Sequence, residues 1–274
     1  MERDYLHLIE RLDDLLLDYL EELSTDDWHN STIVPQWRVK DIAAHLLDGN
    51  LRTLSMLRDK YFGEQPEDPT TYQGMVTFLN NLNGDWVKAM QRLSLSILID
   101  LLRSSGKEYT AYLRTLEPSE PAVFSVAWAG EDASTNQFHI QREYTEKWHH
   151  QQQIRMATGD PDTLMADEYF APYLETSMMA LPHHYRNMVV DRDACIRFLI
   201  FGQSEKLWHL RFQEGWSLSP HHEGEVTCEV QIPDQIAWKI FTKGIKRDQA
   251  IKESKIIGQQ ELGLPFFEMI AIMG

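Results

Sequence analysis

The chain has 274 residues, 43% of them hydrophobic, with 11 Phe, 10 Tyr and 8 Trp, and a formal charge of −16. That length favours two domains over one, and the apolar content is enough to build a core in each. Acids outnumber bases by 26 to 15 over residues 1–160 and by 16 to 11 beyond; a surface of that sign repels nucleic acid and anionic lipid, so neither is expected as a partner.

The two cysteines, Cys195 and Cys228, lie far apart and form no CxxC pair. This argues for a reducing compartment and against a cysteine-type zinc site. The first ten residues, MERDYLHLIE, contain no apolar signal-peptide core. No apolar run reaches the roughly 18 residues that a membrane span needs. A cytoplasmic protein is expected, as a monomer or a homodimer.

Taken in order, residues 2–23 place Leu6, Ile9, Leu12, Leu16, Tyr19 and Leu20 at helical spacing behind an acidic outer face. Ser24 or Thr25 is placed to cap a short turn, TDDW. A second long helix is predicted over 37–62, with Ile42, Leu46, Leu54 and Phe62 inward and His45 beside that face. The polar loop GEQPEDPT follows. Residues 71–92 and 96–118 read as helix again, either two or one continuous, with Gly84 and Gly106 blurring the ends. A connection rich in small residues covers 119–136. The helix 137–155 comes next, with Gly159 placed as its C′ glycine.

About four long amphipathic helices with long connections predict an all-α four-helix bundle over 1–160. DPDTLM (160–165) reads as a linker, and 168–186 as a further helix. The period then changes. CIRFLIF (195–201) and LWHLRFQ (207–213) read as a hairpin, and GWSLSP and EVTCEVQIP (225–233) add two strands. Residues 235–244 and 247–254 read as helices, IIGQ as a short strand and LPFFEMIAIM (264–273) as a closing apolar helix. A smaller α+β domain over 161–274 is therefore expected.

The chemistry centres on 137–155. Glu146 and His150 stand four residues apart and share one helix face. A carboxylate and an imidazole so placed can grip a divalent cation if other ligands come from elsewhere. His45 is the candidate, giving a three-donor set with open positions, as catalytic metal sites have. Each of these residues also has an ordinary reading, as a core or surface histidine or a helix-surface Glu–His pair, and spacing alone leaves both open. Glu146 and His149 form an E-x-x-H unit as well. Di-iron bundles need that unit twice, and it occurs once. His183–His184 and His221–His222 read as exposed polar loop. The six bases from Lys239 to Lys255 read as a solvated face or an anion-facing patch. There is no G-x-S-x-G elbow and no phosphate-binding glycine loop.

The stretch W-R-V-K-D-I-A-A-H-L ending at His45 and Leu46, then R-E-x-x-E-x-x-x-H ending at His150 and I-R-x-A-x-G ending at Gly159, resembles the mycothiol-dependent maleylpyruvate isomerase family within the DinB-like superfamily. The resemblance covers roughly residues 1–160. V-x-C-x-V-x-I-P-D (226–234) resembles the family's C-terminal domain, which is similar to sterol-carrier-like folds. The resemblance implies a DinB-like bundle with a divalent metal, zinc ahead of nickel, held by His45, Glu146 and His150. It also implies a low-molecular-weight thiol cofactor, mycothiol or another, and a small electrophilic substrate for an isomerase or S-transferase. The family's usual aspartate three residues after the last histidine is Gln153 here, which puts the outer support of that histidine in question. A different class remains open, a non-enzymatic carrier of an apolar ligand in which Trp208, Trp216, Phe266 and Phe267 line a pocket.

Overall fold

The structure, a computed structural model, describes residues 3–68, 71–203 and 205–272. Contacts divide it into two units, one of residues up to 124 and 134–161, the other of 125–133 and 162–272.

The first unit is helical. Helix α1 (Tyr5–Glu22) starts where the Asp4 carboxylate accepts the His7 N–H at 3.0 Å, and buries Ile9, Leu12, Leu16 and Leu20. Ser24 and Asp27 bond each other's side chains and backbone N–H groups to fix the short 3₁₀ turn Asp27–His29, which buries Trp28. Helix α2 (Val39–Thr53) is held at its start by the Asp41 carboxylate reaching back to the Arg38 N–H at 2.9 Å. It runs into a π-helical turn, Leu54–Arg58, where Asp59 N–H bonds Leu54 O. Lys60 then takes φ +58°, which ends the ladder. The predicted helix to residue 62 is thus cut short, and Phe62 is 41% exposed instead of inward.

Helices α3 (Tyr72–Met90) and α4 (Leu95–Leu113) are separate, because Ser94 caps α4 by accepting the Ile97 N–H. Lys40 Nζ ties α2 to the turn between them, bonding Leu93 O at 2.8 Å, and Trp86 Nε1 donates to Ala44 O at 2.8 Å. Helix α5 (Asn136–Thr158) is capped by Thr135 and closed by Gly159 at φ +95°, a conformation glycine adopts without strain. Helices α1 and α2 each pack on α4 and α5, and α3 packs on α2. Leu16, Leu20, Trp28, Ile42, Leu47, Leu98 and Ile154 lie at the heart of the apolar cluster. Gly106 matters for a close approach: a Cβ there would stand 3.0 Å from Asp13 Oδ2.

After residues 125–133 and the 3₁₀ turn Thr163–Met165, the second unit continues with α6 (Asp167–Met178) and α7 (Leu181–His184). They form two helices where one was predicted, because Pro182 has no N–H to continue the ladder. His183 and His184 are half-buried on α7, not exposed in a loop, and His184 Nε2 donates to Pro265 O at 2.7 Å. Strands β1 (Cys195–Phe201), β2 (Lys206–Phe212), β3 (Trp216–Ser219), β4 (Cys228–Pro233) and β5 (Lys255–Gly258) form one sheet in the order β3-β2-β1-β4-β5. The pairings are antiparallel except β1 with β4, which is parallel in the register Phe198↔Val230. Helices α8 (Asp234–Phe241), α9 (Arg247–Lys252) and α10 (Gln260–Gly263) complete the unit.

The predicted closing helix forms only in part. Only Leu264–Glu268 is helical, as a 3₁₀ stretch, after which Met269 is extended and Ala271 N–H bonds Phe241 O at 3.1 Å. The apolar run is buried without a helical period, since a short apolar stretch carries no periodic signal of its own.

Candidate metal centre

Helix α5 is enclosed, yet much of what it encloses is polar. Fifteen of its 23 residues are buried and ten of those are polar or charged. Each buried polar group needs a partner. On one side Lys147 Nζ meets Asp13 Oδ1 at 2.8 Å and Asn50 Oδ1 at 3.0 Å, and Asn50 donates on to Ser105 at 3.2 Å. Arg155 pairs with Asp160, bonds Leu15 O at 3.0 Å and covers the Tyr19 ring. These contacts are structural and account for that face.

The other face carries the candidate site. Glu146, His149 and His150 offer donor atoms that all lie within 4.8 Å of one another. Glu146 Oε2 stands 3.7 Å from His150 Nε2 and 3.9 Å from His149 Nε2. Helix α2 brings His45 alongside, its ring centroid 4.7 Å from that of His150 at 74°. Trp37 lies against both, 4.9 Å from His45 and 6.5 Å from His150. Of the three residues predicted from the sequence, Glu146 and His150 have converging donor atoms, while His45 lies outside that donor group and touches it through the His150 ring. His149 is equally part of the cluster, although the E-x-x-H unit alone gave no reason to choose it.

Two hydrogen bonds fix the ring tautomers. His149 Nδ1–H donates to Thr145 O at 2.9 Å and His150 Nδ1–H to Gln153 Oε1 at 2.9 Å. An acceptor at Nδ1 leaves the Nε2 lone pair bare in both rings. Gln153 thus supplies the support that the family's aspartate position left in question. His45 Nδ1 is buried with no partner. Burial pushes all three imidazoles down: His45 well below the usual range, with His150 adding to it; His149 to about 4; and His150 well below, with His149 adding. They are neutral at pH 7, as metal binding requires. Burial also pushes Glu146 up to about 7, Arg142 opposing and Glu143 adding, although its side chain keeps 30% exposure to relieve that.

Arg142 and Arg52 flank the cluster. Arg142 pairs with Glu143 and bonds His139 Nδ1 at 3.1 Å, while its Nε has no partner. Arg52 reaches Asp48 at 3.2 Å and its Nη1 has none. Burial alone would push Glu143 up, but Arg142, His139 and the Tyr109 O–H at 2.6 Å hold it at about 2. Neither arginine was singled out from the sequence. The available signal was position, Arg142 one turn before Glu146 and Arg52 two turns after His45.

Bare Nε2 lone pairs facing a carboxylate, neutral imidazoles and an orphaned His45 nitrogen form a donor set suited to zinc or nickel. Both cysteines lie in the other unit, buried, with burial pushing Cys228 up to about 11 and Cys195 upward. Phe266, Phe267 and Trp208, proposed to line an apolar pocket, are instead core residues, the Phe266 ring lying tilted 4.9 Å from that of Phe198. Trp216 packs on Tyr185 and Phe212. Lys243, Lys246, Arg247, Lys252 and Lys255 are exposed and Lys239 half-buried.

Residues 9–155 match the family described as "Mycothiol maleylpyruvate isomerase N-terminal domain". Among solved structures, the chain is similar to the mycothiol-dependent maleylpyruvate isomerase, with TM-score 0.54 and 11% identity over 86% of this chain and 87% of that one. It is similar also to a histidine-to-alanine mutant of that enzyme, with TM-score 0.53 and 10% identity over the same shares. At these identities the likeness is one of fold. No curated protein matches the chain.

Proposed function

The chain belongs to the mycothiol maleylpyruvate isomerase N-terminal domain family, and from that premise we propose that it is a metal- and thiol-dependent isomerase or S-transferase acting on a small anionic electrophile. The observation that carries this reading is the cluster of Glu146, His149 and His150 with His45 beside it, in a chain whose own thiols are buried and remote in sequence. In this reading α1, α2, α4 and α5 form a four-helix bundle, residues 1–160 are the site-bearing domain, and 161–274 a sterol-carrier-like one. The protein works in the cytoplasm, as a monomer or homodimer.

His45, Glu146 and His150 would hold the cation. A bound zinc or nickel ion lowers the pKa of a thiol that ligates it, so that thiolate prevails near neutral pH. The chain's residues prepare the place. Thr145 and Gln153 lock the rings of His149 and His150 with Nε2 outward. The guanidinium groups of Arg142 and Arg52, each with one buried unpartnered nitrogen, would turn to meet a substrate carboxylate. For isomerisation, the thiol sulfur adds to one carbon of a conjugated double bond. The resulting single bond rotates, and expulsion of the same sulfur restores the double bond in its new geometry. Where that carbon bears a leaving group, the same attack gives transfer.

The test is metal content and affinity of the purified full chain, followed by thiol conjugation across a panel of small thiols. Wild type is expected to bind one equivalent of zinc or nickel below micromolar concentration. His45→Ala and His150→Ala should each lose more than about 100-fold, beyond the roughly 10–100-fold that outer-shell changes cost. A wild type that binds neither ion better than micromolar defeats the reading.

A further inference from the structure

Neighbouring residues on a helix point about 100° apart, so a vicinal histidine pair rarely converges. His149 and His150 do converge, with ring centroids 3.9 Å apart. The cause is a pair of different anchors. His149 is held by the carbonyl of Thr145, one turn back, and His150 by the side chain of Gln153, one turn ahead. The two Nε2 atoms end 3.9 and 3.7 Å from the same carboxylate oxygen of Glu146.

His149 is only 2% exposed. Its Nδ1–H is satisfied, but its buried Nε2 is an acceptor that faces the Glu146 carboxyl group, itself an acceptor when ionised. At 3.9 Å the two make no hydrogen bond. Two facing lone pairs in a buried site are unfavourable unless something positive sits between them. Donors on one tetrahedral zinc ion stand about 3.3 Å apart, from metal–ligand distances of roughly 2.0–2.1 Å. The two distances from Glu146 exceed that by roughly half an ångström, and the three donors lie within 4.8 Å of one another, so small side-chain rotations bring them onto one ion.

We propose that His149 is itself a ligand, so that in the thiol-free protein the cation is held by four protein donors: His45, Glu146, His149 and His150. This rests on the metal reading above and deepens it. The thiol then enters a filled shell, and His149 is the donor it competes with.

The experiment uses the full chain loaded with zinc and with cobalt(II). X-ray absorption at the zinc edge of the wild type counts imidazoles directly: three support the proposal and two overturn it. His149→Ala, and His149→Gln where alanine does not fold, should lower zinc affinity by about 10–100-fold and alter the cobalt visible bands as one nitrogen is lost. A folded variant that keeps wild-type affinity and bands overturns the role of His149 while leaving the metal reading intact. A weaker affinity with unchanged bands makes His149 a positioning residue, and also overturns it. If the wild type binds no cation, both fall together.

Discussion

Helix α5 and strand β1 are each enclosed by their own unit, and they are buried with opposite chemistry. In β1 the covered residues are Cys195, Ile196, Phe198 and Ile200, and the strand's backbone is paired on both sides by β2 and β4. In α5 ten of the fifteen buried residues are polar or charged. An apolar strand is satisfied by close contact alone. A polar helix must find a partner for every group, and where partners fall short the remainder marks a place for a ligand. Lys147 and Arg155 find their partners within the chain. On the Glu146 face the partners fall short.

The largest effect that breaks this contrast is in the sheet. Phe198 is fully buried against Phe266 and Tyr185. Phe198→Ala is expected to destabilise the second unit by about 3–5 kcal/mol through lost burial and the cavity left behind. Denaturant unfolding of the full chain, followed by tryptophan fluorescence, measures it. A loss below about 1 kcal/mol would mean that the sheet is not where that unit's stability lies.

In α5 the comparable change is electrostatic and depends on pH. Glu143, with 14% of its side chain exposed, is held at about 2 against the push of burial by Arg142, His139 and Tyr109. A depressed carboxylate contributes stability that is fully present above its unfolded value near 4.5 and is lost as pH falls through about 2. Glu143→Gln should therefore cost up to about 3 kcal/mol at pH 7. Its difference from wild type should shrink as pH falls from about 4.5 towards 2, which unfolding curves at stepped pH would show. A difference that stays constant down to pH 2 removes the electrostatic explanation.

A smaller effect separates support from ligation. Gln153 Oε1 accepts the His150 Nδ1–H at 2.9 Å. Gln153→Ala should weaken zinc binding by about 10-fold, the low end of what outer-shell partners contribute. Gln153→Asp should bind at least as tightly as wild type, because a carboxylate makes the ring more basic. Chelator competition checks both, and equal affinity in Gln153→Ala would show that His150 needs no such anchor.

The sequence made the contrast visible only in part. The short apolar run CIRFLIF located β1 and the alternation of Val226, Cys228 and Val230 located β4, because inward side chains at every second position leave a direct trace. The parallel pairing of β1 with β4 left none, since register across a long loop is set by packing. His45 and His150 could be paired through their surrounding motifs, and the structure places their rings together. His149 could not, because what turns it toward Glu146 is a backbone carbonyl, which every residue possesses. Residues 125–133 group with the second unit for the same kind of reason. Contact, and not composition, assigns that loop. LPFFEMIAIM misled because an apolar run reports burial before it reports conformation.

The weakest expected effect tests whether burial, and not ion pairing as such, distinguishes the two regions. Arg197 on β1 pairs with Glu229 on β4, as Arg142 pairs with Glu143 on α5. Burial would push Glu229 up, but Gln231 and Arg197 hold it below the usual carboxylate range, so its contribution has the same sign as that of Glu143 and fades as pH falls. Its partner differs: the Arg197 side chain is 40% exposed against 19% for Arg142. Water screens the first pair far more than the second, and Glu229→Gln should cost less than about 1 kcal/mol at pH 7. Added salt should erase most of even that, while leaving the Glu143→Gln loss largely in place. Equal losses in the two variants, with equal sensitivity to salt, would mean that the enclosure of α5 does not strengthen its charges, and the polar interior of that helix would need another explanation.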